Sequence, residues 1–290
     1  MTRILHLSDT HVSANGPDAD GVDAVASLER ILHDARHVPG LDLVVLSGDI
    51  ADDGSAAGCA AVREHVARFS AAREIPHIYS TGNHDRRAGF AQVLGSGHLD
   101  ADGCERGTLM DASKDTRAAV SHVGDLRVVT LDSLVPGRTH GHIDEDQLCW
   151  LADLLACPAA GGTVLVFHHP PLTPPSLPWV RDVVLQNIDA LADVVRGRDV
   201  RAVLTGHLHF QLSGVLAGVP VWVTPGVVTR MDTTASPGLV RGVLGAGGTV
   251  VDVDESGDLS CYVLSARDPR TGEQVYLYDP VTGEDVVETD

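Results

Sequence analysis

Five short clusters of acid, amide and imidazole side chains punctuate the sequence: Asp9-Thr10-His11, Gly48-Asp49, Gly82-Asn83-His84-Asp85, His168-His169 and Gly206-His207-Leu208-His209. Carboxylates, amides and imidazoles in this mixture are what a two-cation hydrolase uses to hold its ions about 3.5–4 Å apart around a shared, activated water. Asp49 can bridge, with Asp9, His11 and His209 completing one position and Asn83, His168 and His207 the other. A ligand set of oxygen and nitrogen without thiolate suits Fe, Mn, Zn or Co. Each cluster alone is weak, since Gly-Asp after a strand is a common turn. The signal is the whole series in this order, because several independent criteria for a metal site then agree.

The elements that must position these residues can be read around them. Apolar runs of strand length at Ile4–Leu7, Leu43–Leu46, His77–Tyr79, Thr163–Phe167 and Ala202–Leu204 each lead into one cluster. Further runs fall at Leu126–Leu131 and Val219–Val223. Helical spacing marks Ala24–His37, Ala60–Arg73, Asp146–Leu155 and Asn187–Val195. Strands alternating with helices predict βαβ units and a largely parallel inner sheet. In such a sheet, ligands bind beyond the carboxyl ends of the strands, where every cluster lies. If the backbone stays extended, D-x-H and H-x-H each point two side chains the same way. On that basis His169 points away from His168, as a structural residue or a support behind the ligands. After about residue 211 short strands replace helices, at Val215–Val223, Gly242–Leu244, Thr249–Val253, Leu259–Leu264 and Gln274–Tyr278. Pro170–Pro178 reads as a stiff loop.

The formal net charge of −19, from 40 acidic and 21 basic residues, disfavours a nucleic-acid polymer as partner. It also repels small anionic substrates unless bound cations reverse the local field. Five scattered cysteines without a CxxC pair read as reduced thiols. No apolar run reaches the roughly 18 residues of a membrane span, and Asp9 and His11 interrupt any apolar leader, so a cytoplasmic protein is expected.

The series resembles the calcineurin-like metallophosphoesterase superfamily over residues from about 3 to 225. The segments VVTLDSLVPGRTHGHIDEDQLCWLADLL, VLVFHHPPL and VRAVLTGHLHF are closest to bacterial class III cyclic nucleotide phosphodiesterases and their glycerophosphodiesterase relatives. The resemblance implies a four-layer αββα sandwich with two mixed β-sheets, as one domain over residues 1–290. Its motif-bearing core would span about 3–225, a β-rich portion about 226–280 and an acidic, poorly ordered tail 281–290. It implies metal ligation by Asp9, His11, Asp49, Asn83, His168, His207 and His209. Asn83, His84 and His209 would contact substrate, and His84 would help protonate the leaving group. Asp85 is expected to accept a hydrogen bond from His84, or to cap a turn. The reaction implied is in-line attack of a metal-bridging hydroxide on a small phosphodiester, with 3′,5′-cyclic AMP the leading substrate. A glycerophosphodiesterase or broad phosphodiesterase is the alternative, and a non-catalytic metal-holding module a distant third. The relatives also imply a possible homodimer. His140 and His142 are assigned to a solvated loop rather than the cleft, and Trp179 either stacks on a base or is buried against the protein. The remaining histidines (His6, His33, His37, His65, His77, His98, His122) are assigned to helices or loops without a catalytic role.

Overall fold

The computed structural model describes all residues except 15, 18, 19, 255, 257 and 287–290. The chain opens with β1 (Thr2–Leu7), α1 (Ala24–Ala35), β2 (Leu43–Ser47), α2 (Ala56–Ala71), β3 (His77–Ser80) and α3 (Arg87–Leu94). Then come β4 (His98–Leu99), β5 (Thr108–Leu109), β6 (Ala119–Val123), β7 (Leu126–Thr130), α4 (Glu145–Leu155) and β8 (Thr163–Val166). A 3-10 turn (Pro178–Asp182), α5 (Ile188–Val195), β9 (Val200–Thr205), β10 (Leu212–Leu216) and β11 (Val219–Val223) follow. The last strands are β12 (Thr229–Asp232), β13 (Val240–Leu244), β14 (Gly247–Val253), β15 (Leu259–Ser265) and β16 (Gln274–Tyr278).

Two mixed sheets stack face to face. The first has the order β15-β14-β1-β2-β3-β4 and the second β10-β11-β9-β8-β7-β6-β5. β1, β2 and β3 run parallel, as do β7, β8, β9 and β11, with antiparallel strands at the edges of each sheet. A small third sheet joins β12, β13 and β16. Because successive strand residues face opposite sides, each inner strand feeds two cores. Ile4, Leu43, Val45 and Ile78 meet Val128, Val164, Val166 and Leu204 between the sheets. Leu5, Leu7, Val44 and Leu46 face outward onto Leu28, Ile31, Val62 and Phe90 of the first helical layer. Val129, Leu165 and Val203 face Leu151, Leu155, Leu191 and Val195 of the second. The result is helices, sheet, sheet, helices, as the resemblance implied.

Local chemistry sets the helix starts. Asp23 accepts the Ala26 N–H at 2.9 Å ahead of α1, and Asp144 accepts the Gln147 N–H at 2.9 Å ahead of α4. Helix α2 begins four residues before the predicted Ala60 because Ser55 caps it, its hydroxyl taking the Gly58 N–H at 3.0 Å. The run Val215–Val223 is two strands, β10 and β11, hinged at Ala217-Gly218, where both residues take positive φ. Helix α3 and β4–β6 lie outside the runs that the sequence predicts. In the acidic tail, Asp285 bridges back to Tyr278, and residues 287–290 lie outside the described set. No described helix is long and apolar enough to cross a membrane.

Candidate metal centre

The clusters converge where β1, β2 and β3 of the first sheet and β8 and β9 of the second end side by side. The strands stop before the clusters do, so the extended alternation expected for D-x-H and H-x-H does not operate. Asp9, His11, Asp49, His207 and His209 instead take left-handed backbone conformations, with φ from 44° to 72°. These are five of the seven non-glycine residues with positive φ among the described residues. Strain of this kind persists only where surrounding structure holds it, and here the loops hold one another. Asp9 N–H donates to the Gly48 carbonyl at 3.1 Å, His11 N–H to the Asp49 carbonyl at 3.0 Å, and His207 N–H to the Asp9 carboxylate at 3.0 Å. His84 N–H donates to Asp49 Oδ1 at 2.8 Å. Glycine is required where these loops cross: a Cβ on Gly82 would lie 2.3 Å from Asp49 N, and one on Gly48 2.5 Å from His168 Nδ1.

The seven residues fall into two facing groups. His168 Nε2 lies 3.1 Å from Asn83 Oδ1, 3.2 Å from Asp49 Oδ2 and 3.2 Å from His207 Nδ1. Donor atoms so spaced fit around one cation with bonds of about 2.1 Å. On the other side, His209 Nε2 is 3.4 Å from Asp9 Oδ1 and His11 Nε2 is 3.5 Å from Asp49 Oδ2. His11 Nε2 is buried without a hydrogen-bond partner among the described residues. The far nitrogens are anchored: His168 Nδ1 donates to the Ser47 carbonyl at 2.8 Å, His11 Nδ1 meets Asp52 at 3.0 Å and His209 Nδ1 meets Thr229 Oγ1 at 3.0 Å. Fixing the outer nitrogen this way leaves the inner one for a metal. The residues present therefore fit two cations sharing Asp49. Burial alone would raise the Asp49 carboxyl, but His168, with His84 and His11, holds it well below the usual carboxylate range. Burial also works against charge on His168, yet the Asp49 carboxylate beside it raises it to about 9.

His84 stands at the rim, with 42% of its side chain exposed. Its Nδ1 is held by Asp52, at 3.1 Å from Oδ1 and 3.2 Å from the backbone carbonyl. The expected bond from His84 to Asp85 is not formed. Asp85 is buried and takes three backbone N–H groups, from Gly82 at 2.9 Å, Ala51 at 3.0 Å and Ile50 at 3.1 Å. It binds the turns after β2 and β3 together, which is a turn-capping role. Asp52 was missed in the sequence because nothing periodic marks it. The only signal was a further carboxylate three residues past Asp49. Its Oδ1 touches both His11 and His84.

His169 also departs from expectation. β8 ends at Val166, so His168 and His169 are not alternating strand residues, and the His169 ring packs 4.7 Å from that of His207. His140 is half-buried and His142 exposed. Trp179 is half-buried with Phe210 against the cluster of Val180, Val184, Leu208 and Val223. His6, His77, His98 and His122 lie on strands rather than helices or loops.

Two stacked sheets whose strand ends surround candidate ligands for two cations have the architecture of a metallohydrolase. Residues 2–211 match the sequence model of the calcineurin-like phosphoesterases. The chain is 37% identical over 254 residues to a probable cyclic nucleotide phosphodiesterase of Rhodococcus erythropolis, covering 84% of this chain and 77% of that protein. It is 38% identical over 248 residues to a cAMP/cGMP dual specificity phosphodiesterase of Mycobacterium tuberculosis, covering 84% and 73%. Among solved structures, purple acid phosphatase PPD1 of yellow lupin shares the fold, with a TM-score of 0.52 at 13% identity over 93% of this chain and 54% of that one. The chain belongs to the calcineurin-like phosphoesterase family.

Proposed function

We propose that this enzyme hydrolyses 3′,5′-cyclic nucleotides, cyclic AMP first among them, at a pair of cations held by Asp9, His11, Asp49, Asn83, His168, His207 and His209. The observation that carries the reading is the two facing donor groups sharing Asp49 (His168 Nε2 at 3.2 Å from its carboxylate, His11 Nε2 at 3.5 Å), with His84 at their rim. The ions, from the set Fe, Mn, Zn or Co, would supply the charge that binds the diester oxygens and lowers the pKa of a water toward neutrality. Asn83 and His84 are placed to stabilise charge gathering on the phosphoryl oxygens. Burial disfavours charge on His84, but Asp52 and then Asp49 raise it to about 9. With Nδ1 engaged by Asp52, its protonated Nε2 can donate to the departing oxygen. The substrate class rests on the two cyclic nucleotide phosphodiesterases to which the chain is similar.

The test is turnover of cyclic AMP, cyclic GMP, glycerophosphocholine and bis(p-nitrophenyl) phosphate by the Mn²⁺-loaded protein. Preference for a cyclic nucleotide supports the proposal. Cleavage of glycerophosphocholine with the cyclic nucleotides untouched refutes it. The proposal extends to a symmetric homodimer, the common state of soluble enzymes. Light scattering giving the mass of one chain would refute that part.

A further inference from the structure

Among the described residues, Nε2 of His169 is buried and has no hydrogen-bond partner. Leaving such an atom unpaired is costly unless something absent from the protein alone meets it. Three other imidazole nitrogens share the condition among the described residues: His6 Nδ1, His77 Nε2 and His11 Nε2. The first two belong to strand residues of the core, whereas His11 Nε2 faces the metal centre. His169 belongs with His11. One of its ring nitrogens lies within 4.8 Å of ring nitrogens of His168 and His207. It is as fully buried as Asp9 and His168, so it sits at the depth of the candidate ligands.

Its tautomer follows from Ser133. The buried Ser133 hydroxyl lies 2.8 Å from His169 Nδ1 and also accepts the His169 backbone N–H at 3.4 Å. Among the described residues Nδ1 is the one acceptor within reach of the hydroxyl hydrogen. Ser133 therefore donates to Nδ1, and the ring proton sits on Nε2. The opposite tautomer would strand two buried groups, the hydroxyl hydrogen and the Nε2 lone pair, instead of one. An N–H is a donor and not a metal ligand.

We propose that His169 is a hydrogen-bond donor to substrate, its Nε2–H meeting a non-bridging phosphoryl oxygen in the metal centre beside His207. The inference rests on the two-cation phosphodiesterase reading and adds to it a donor fixed in advance where negative charge gathers.

The test uses full-length, zinc-loaded protein, with inorganic phosphate as the probe in calorimetric titration and ion content measured alongside. His169→Asn can turn its amide oxygen toward the Ser133 hydroxyl as an acceptor and removes the inner donor, whereas His169→Gln places an amide N–H near the Nε2 position. With two ions retained, the phosphate Kd should rise about tenfold or more in the Asn variant. In the Gln variant it should stay within about threefold of the parent. An unchanged Kd in the Asn variant would overturn the proposal, as would loss of one ion, which would make His169 a ligand. Nitrogen-15 spectra of the unmutated zinc protein give an independent reading, since a His169 ring protonated at Nδ1 overturns it whether or not the variants fold. If the parent binds phosphate as described but leaves cyclic nucleotides intact, the functional reading fails and the role of His169 stands.

Discussion

A single carboxylate oxygen of Asp52 lies 3.0 Å from His11 Nδ1 and 3.1 Å from His84 Nδ1. It thus orients a candidate ligand and the candidate proton donor together. The hydrogen bonds from His11 and then His84 hold its own carboxyl below the usual range. Replacing Asp52 with Asn keeps the shape but removes the charge. Kinetics should show kcat on cyclic AMP falling about 10–100-fold, with metal affinity also weakened through His11. A variant with full kcat would contradict the shared role. His84→Ala separates proton donation from binding. Its loss on cyclic AMP, on the order of 10²–10⁴-fold, should shrink on bis(p-nitrophenyl) phosphate, whose leaving group departs without a proton. Equal losses on both substrates would show that His84 does not protonate the leaving oxygen.

The strands set where these side chains can be, and the turns after them set where they point. Asp132, just after β7, is an example of what the turns require. It is buried and accepts from Thr81 Oγ1 at 2.8 Å, Arg87 Nε at 2.6 Å and Nη2 at 3.0 Å, and the N–H groups of Arg117 at 2.9 Å and Leu134 at 3.2 Å. It thereby pins the Thr81–Asn83 turn to the loop carrying Ser133. Asp132→Ala leaves Arg87 without its charge partner and should cost about 3–5 kcal/mol, read as a lower urea midpoint. A loss within the range of an ordinary surface change would show that the clamp carries little. The strands themselves were legible in the sequence because Leu43–Leu46 buries both faces and reads as a continuous apolar run, and Ile4–Leu7 does so but for His6. The convergence of the ligand residues was legible because they follow those runs. What escaped was set by contacts distant in sequence. The left-handed turns at Asp9 and His207 and the tie between Asp52 and His84 leave no period. β4 and β6 escaped for a related reason: two strands of two and five residues whose His98 is held across the sheets by Ser121 and Thr130.

Across the whole molecule, the segment after the last motif completes the first sheet. β14 lies between β15 and β1, pairing Thr2–His6 with Thr249–Val253. We propose accordingly that residues 1–290 form one domain and not a core of about 3–225 with an appendage. A chain ending at residue 225 keeps every candidate ligand but exposes the edge of β1, and circular dichroism should show no cooperative melting. A stable truncated protein would refute this. Acid should also weaken the whole fold. Burial pushes His6 and His98 down to about 3 and His77 to about 4, whereas the same side chains unfolded titrate near 6.5. Below that value the unfolded chain binds more protons than the folded one, so stability is present above about pH 6.5 and falls toward pH 4. Urea midpoints of the chelated protein that stay level across that window would contradict it. Finally, a net charge of −19 repels an anionic substrate unless bound cations reverse the local field. The most direct test is therefore to strip the protein with chelator, add Mn²⁺ in steps, and follow ion binding and cyclic AMP hydrolysis in parallel with an Asn83→Ala variant. The account predicts no turnover without metal, activity that climbs as the second ion binds, and an Asn83→Ala protein impaired in both. Cyclic AMP hydrolysis that survives complete chelation, or full activity with a single bound ion, would contradict it.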